Sequence, residues 1–140
     1  MNAMPCPCAG ASPERRQPDR APLFAECCGR FIEGGATPSN AMELMRSRYT
    51  AYVLGDTAYL RETWSEETRP ADLDASADPA TRWLGLQIKR HVPLDADHAE
   101  VEFVARYKVG GRAHRLHETS RFVRNEAGRW LYVDGIVSEA

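Results

Sequence analysis

The chain has 140 residues, 43% hydrophobic and 27% charged, which is the make-up of a globular protein with one domain and a short appendage. Its net charge of −2 argues against binding nucleic acid through a broad phosphate-neutralising surface. No apolar run approaches the roughly 18–20 residues that span a bilayer. Met1–Ser12 also lacks the basic start and apolar core of a secretory signal, so a cytoplasmic protein away from the membrane is expected.

Residues 1–36 are rich in Pro, Gly, Ala and Cys, show no sustained period and read as a loop-like module. All four cysteines lie here: Cys6, Cys8, Cys27 and Cys28. In a reducing compartment such a cluster points to a metal more than to disulfides. Zinc takes four ligands in a tetrahedron and favours thiolate in structural sites. The pairs Cys6-Pro7-Cys8 and Cys27-Cys28 supply one such ion when Ser12–Arg20 loops out between them, and Gly29 is expected to permit the sharp turn. Metal binding then becomes folding energy for a segment with little core of its own. Free thiols in a disordered segment, or a disulfide between the pairs outside the cytoplasm, are the alternatives.

Thr37-Pro38 reads as the cap and first position of a helix. Its apolar stripe is Ala41, Leu44, Met45, Tyr49, Tyr52 and Val53, and Gly55 ends it. Asp56 caps a second helix to about Thr63, with Tyr59 and Leu60 inward, and Glu66–Pro79 follows as a polar connection. The period then becomes two. Trp83, Gly85, Gln87 and Lys89 alternate with Leu84, Leu86 and Ile88. After a turn at Asp95–Asp97, Val101, Phe103, Ala105, Tyr107 and Val109 share a face. Glu102, Arg106 and Lys108 oppose them, interrupted by Val104. Gly110-Gly111 marks a hairpin, a strand runs from about His114 to Val123, Asn125–Gly128 turns, and a last strand carries Trp130–Val133. Helices followed by a four-stranded meander predict an α+β fold with the helices on one face of an antiparallel sheet.

Several of these stretches resemble known sequences. Pro5-Cys6-Pro7-Cys8 with Cys27-Cys28-Gly29-Arg30 resembles the SEC-C motif, a zinc knuckle also found at the C-terminus of the preprotein translocase ATPase. Leu44–Tyr52, Thr63-Trp64, Val101–Tyr107, His117–Phe122 and Trp130–Gly135 are similar to the YchJ-like family of bacterial proteins, in the same order. The resemblance implies a zinc knuckle over 1–36 joined at 37–140 to an α+β cone like nuclear transport factor 2 and the cystatins. In that fold a curved sheet wraps around helices and leaves a pocket. The loop between the cysteine pairs is longer here than is usual in the family, and longer loops cost little more to close.

Relatives of the cone include dehydratases and isomerases with an Asp, His or Glu as acid or base. The corresponding candidates are Glu118, Asp134, His117 and Glu102. His117 and Glu118 are strand neighbours and point to opposite faces; Glu118 shares its face with Leu116, Ser120 and Phe122. A carboxylate on the concave side is the usual mark of a functional group. Its structural alternative is an ion pair with Arg46 or Arg48 that locks helix to sheet. Arg46, Arg48, Tyr49, Trp64, Glu118 and Ser120 are thus the expected pocket or helix–sheet contacts. Arg46 and Arg48 diverge on the helix, which disfavours a phosphate clamp. His117-Glu118 is no zinc-protease motif, because Arg121 stands where the second histidine belongs. Trp64, Trp83 and Trp130 read as packing. The expected role is interaction with another protein through the knuckle, without catalysis. Its rival is a small-molecule-binding or lyase/isomerase-type enzyme using the cone's pocket. A homodimer through the sheet is a third option.

Overall fold

A computed structural model describes residues 4–13, 21–76 and 79–138. It contains a 3-10 turn at Phe24–Glu26 and three helices, α1 (Gly29–Ile32), α2 (Ala41–Leu54) and α3 (Thr57–Glu62). Four strands follow: β1 (Thr81–Pro93), β2 (His98–Val109), β3 (Arg112–Arg124) and β4 (Trp130–Ser138). The first 36 residues are therefore not wholly loop, since the 3-10 turn and α1 flank the second cysteine pair. Most of the expected Ser12–Arg20 loop, residues 14–20, lies outside the described residues.

Helix α2 starts at Ala41, later than the Thr37-Pro38 signal. A stronger cap wins. The Asn40 side chain accepts from the Glu43 N–H at 2.8 Å, and the Glu43 carboxylate reaches back to the N–H and hydroxyl of Ser39 at 2.9 and 2.8 Å. Pro38 is buried ahead of the helix instead. The far end follows expectation: Gly55 takes the left-handed conformation at φ 73°, and the Asp56 side chain accepts from the Tyr59 N–H at 3.0 Å to start α3.

The sheet is an antiparallel meander in the order β1-β2-β3-β4, with the helices packed on its concave side. Register shifts at Trp83/Gly85, Ile88/Arg90 and Arg121/Phe122 insert unpaired residues, and such bulges bend strands. One of them overturns the simple alternation of β1. Leu84 bulges out and is 47% exposed, so Trp83 joins Leu86 and Ile88 on the inward side. On β2, Val101, Phe103 and Ala105 are buried inward as their period predicts, while Val109 reaches the exposed rim. β4 runs on to Ser138, beyond the apolar stretch that announced it.

One hydrophobic cluster joins the cysteine segment to the cone. Cys6, Cys8, Phe24, Cys27 and Cys28 belong to the same buried set as Leu44, Met45 and Tyr49 of α2 and Ile88, Val101, Phe103 and Phe122 of the sheet. The change of character at residue 36 is local; the packing on either side is continuous.

Asn40→Ala should lower stability by about 1 kcal/mol, because it orphans a first-turn N–H. A urea titration should show a lower midpoint at unchanged slope; an unmoved midpoint would mean that the Asn40 cap carries no stability.

Candidate metal centre and cone pocket

The two cysteine pairs meet because the chain doubles back on itself. Pro5 bridges Leu23 in antiparallel fashion, with Cys6 N–H donating to the Pro22 carbonyl and Phe24 N–H to the Met4 carbonyl, both at 2.8 Å. The tight turn falls after the first pair, where Ala9 (φ 55°) and Gly10 (φ 69°) are both left-handed and the Gly10 N–H points at Cys8 Sγ from 3.3 Å. Gly29 is not that turn. Its backbone is helical, and it is needed because any Cβ there would strike the Phe24 carbonyl and ring.

All four sulfurs lie within 4.8 Å of one another, in side chains 0–6% exposed. Cys8 Sγ is 3.6 Å from Cys6, 3.5 Å from Cys27 and 3.6 Å from Cys28. A tetrahedral thiolate site with metal–sulfur bonds of about 2.3 Å spaces its sulfurs about 3.8 Å apart. The donor set therefore fits a metal ion. Thiol hydrogen bonds, led by that from Cys27, hold Cys6 well below the ordinary thiol range. The Cys28 thiol does most to lower Cys27, to about 7. Cys8 and Cys28 are pushed up, chiefly by their bonds with Cys27. Four such sulfurs lose their protons together only if a cation takes the protons' place.

On the other side of α2 lies a cavity of about 300 Å³, at the small end of the range for ligand sites. Six aromatic rings wall it: Tyr49, Tyr52, Trp64, Trp83, Phe103 and Tyr132. Trp83 stands edge-on to Tyr49 at 5.6 Å and Trp64 edge-on to Tyr132 at 4.9 Å, the contacts that aromatic quadrupoles favour. Trp64 is brought there by a short parallel bridge. Tyr132 N–H donates to the Thr63 carbonyl and Ser65 N–H to the Tyr132 carbonyl, both at 2.8 Å.

Two charged groups share this apolar chamber. Arg48 is 3% exposed; its Nη1 donates to the Leu60 carbonyl at 3.0 Å and Thr63 Oγ1 at 2.7 Å. Its guanidinium lies 4.9 Å from the Trp64 ring centre and 4.6 Å from that of Tyr132. Burial lowers Arg48 to about 10, so it stays cationic at neutral pH. Glu118 accepts from Ser120 Oγ at 2.6 Å and the Tyr132 hydroxyl at 3.1 Å. Burial pushes the Tyr132 phenol up, which keeps its proton in place for that bond.

The ion pair expected between Glu118 and Arg46 or Arg48 is absent: among the described residues Glu118 forms no salt bridge, and Ser120 and Tyr132 hold it instead. Arg46 is not a pocket residue. It turns to the cysteine segment, donating to the Ala11 carbonyl at 2.9 Å. Asp134 is not one either. It lies in the exposed outer layer and forms a two-pronged pair with Arg121 at 2.6 Å, whose hydrogen bonds hold its carboxyl below the usual range. Parity sends His117 and Glu102 outward together, 2.7 Å apart. Arg48, Tyr49, Trp64, Glu118 and Ser120 do line the cavity. Sequence reasoning missed Tyr132 and Gly135. Gly135 sits opposite Ser120, and a Cβ there would collide with the Glu118 carboxylate. Only the β3–β4 register reveals that contact.

A helix-lined curved sheet with an aromatic cavity, joined to four clustered cysteines, defines an NTF2-like α+β domain with a SEC-C type of cysteine segment. Residues 40–135 match the family model described as the middle NTF2-like domain of YchJ. The chain belongs to the YchJ-like (UPF0225) family of bacterial proteins. It is similar to a UPF0225 protein of Ralstonia nicotianae, 60% identical over 95% of this chain and 96% of that one. A UPF0225 protein of Cupriavidus metallidurans is 57% identical over 96% and 90%. The solution structure of a SEC-C motif containing protein from Rhodopseudomonas palustris superposes with a TM-score of 0.75 at 28% identity, covering 86% of this chain and 96% of that one. The crystal structure of another, from Psychrobacter arcticus, gives 0.71 at 31% identity, covering 99% and 85%.

Gly135→Ala should displace the Glu118 carboxylate and cost about 1–3 kcal/mol through its two lost hydrogen bonds. Combined with Glu118→Ala the penalty should largely vanish, so a double-mutant cycle in denaturant detects the coupling; strictly additive losses would refute it.

Proposed function

We propose that this is a small-molecule-binding protein whose fold is held by one structural zinc ion on Cys6, Cys8, Cys27 and Cys28. The observation that carries the binding role is the aromatic chamber with Arg48 and Glu118 on its walls and no salt bridge between them. A buried charge costs several kcal/mol unless matched, so a cavity that keeps the buried Arg48 beside the part-buried Glu118 is expensive to maintain for packing alone. Binding is preferred to catalysis because the Glu118 oxygen that Ser120 and Tyr132 engage is held in place, and among the described residues no His, Cys or Lys joins it on the wall.

A structural role for the metal is supported by its setting. A catalytic zinc keeps an open position, whereas these four thiols are buried together against α2, with Cys6 Sγ 3.8 Å from Thr50 Oγ1. The proposal puts the protein in the cytoplasm, where such thiols stay reduced; among the described residues no helix is long and apolar enough to cross a membrane. Recognition of another protein is a second reading with its own foothold. β4 is an edge strand of the sheet, and its Ile136 and Val137 are 72% and 56% exposed.

Protein purified without added zinc should carry about one zinc per chain. Cys27→Ser and Cys28→Ser should lose it together with much of the thermal stability, since binding energy is folding energy here. Elemental analysis with a melting curve checks both; a metal-free protein with the full melting temperature would sink the zinc assignment.

A further inference from the structure

Resting on the ligand-binding reading of the cone, we infer that its ligand is a small, neutral aromatic molecule whose polar edge both accepts and donates hydrogen bonds, as a carboxamide does. The size of the cavity, about 300 Å³, admits one ring system and little more. The walls supply flat π-faces on several sides, from Tyr49, Tyr52 and Trp83 on the α2 and β1 side to Trp64 and Tyr132 at β4. A planar ring gains stacking and edge contacts there that a branched aliphatic body does not.

The polar requirement comes from groups whose hydrogen-bonding capacity the protein leaves unused. Arg48 spends only Nη1 on protein acceptors; its Nε and Nη2 donate to none of the described residues, although the side chain lines the cavity. Glu118 receives both of its hydrogen bonds on Oε2, which leaves Oε1 to accept from a ligand. A ligand that offers an acceptor to Arg48 and a donor to Glu118 meets these needs at once. Gly135 belongs to this design, since its missing side chain is what lets the Glu118 carboxylate sit where it does.

Charge selects the neutral form. The guanidinium and the carboxylate already cancel inside the chamber. A carboxylate ligand would leave a net negative charge in an apolar enclosure, an ammonium a net positive one, and either carries the penalty of an unmatched buried ion. A bare hydrocarbon would leave the free donors and acceptor of Arg48 and Glu118 unmet.

Four probes of one shape separate these cases: benzamide, benzoate, benzylamine and toluene, titrated into the full chain as purified with its metal. The indole signals of Trp64 and Trp83 in 15N-labelled protein report occupancy. Benzamide should bind at least about tenfold more tightly than the other three, the worth of one or two hydrogen bonds to charged groups. Glu118→Gln keeps the shape but leaves the guanidinium unbalanced, and should invert the order so that benzoate binds best. A wild-type preference for benzoate or benzylamine, toluene binding as well as benzamide, or an order unmoved by Glu118→Gln would overturn the inference while leaving a ligand-binding cone. Absence of any saturable shift with all four would remove the ligand-binding reading itself.

Discussion

The Arg48 guanidinium is 3% exposed and forms no salt bridge among the described residues, so the groups in direct contact with it are dipoles and aromatic faces, with Glu118 acting only across the cavity. The groups that match it come from separate elements. The Leu60 carbonyl and the Thr63 hydroxyl belong to the end of α3, Trp64 to the segment just beyond, and Tyr132 to β4. Satisfying one charge on α2 thus fixes where α3 stops, where the connection to the sheet begins, and how the last strand meets both. The cavity is the space left between that anchor and the curved wall of β1–β3.

Helix α2 carries a second burden on its other side. Four cysteine sulfurs pack against it, and the same hydrophobic cluster runs from them through Leu44 and Tyr49 to the sheet. Arg46 adds a polar tie by reaching the Ala11 carbonyl. The amino-terminal segment therefore has little independence from the cone. Its thiols are placed by cone packing, and the mouth-side rings of the cone are placed by a helix that the thiols help to seat. Disruption of the cysteine cluster is expected to be felt in the pocket for that reason, through α2.

The outer face of the sheet follows different rules. His117 hydrogen-bonds to Glu102 in a part-buried setting, and Arg121 forms an exposed ion pair with Asp134; both contacts cross between neighbouring strands. Such pairs hold two of the chemically attractive residues, His117 and Asp134, on the outer face of the sheet, where they take no part in the chamber. Strand parity assigns them outward as firmly as it assigns Glu118 and Ser120 inward.

Local chemistry along the chain already settles several parts of the molecule. Cysteine clustering, the 3.6-residue stripe of α2, Gly55, the Asp56 cap, the Gly110-Gly111 hairpin and the parity of Glu118 against His117 are each set by neighbours a few positions apart. The α+β order and the family resemblance follow from the same stretches. The remaining features depend on contacts between distant segments. Whether Glu118 meets Arg46, Arg48 or neither depends on how far α2 slides along the sheet, and the need for glycine at 135 appears only when β4 registers against β3. The bulge at Leu84 reverses inward and outward for Trp83, and a single-strand pattern cannot anticipate an inserted residue. Even at the start of α2 the competition between Thr37 and Asn40 is resolved by reach: the Asn40 side chain accepts from the Glu43 N–H while the Glu43 carboxylate accepts from the Ser39 N–H.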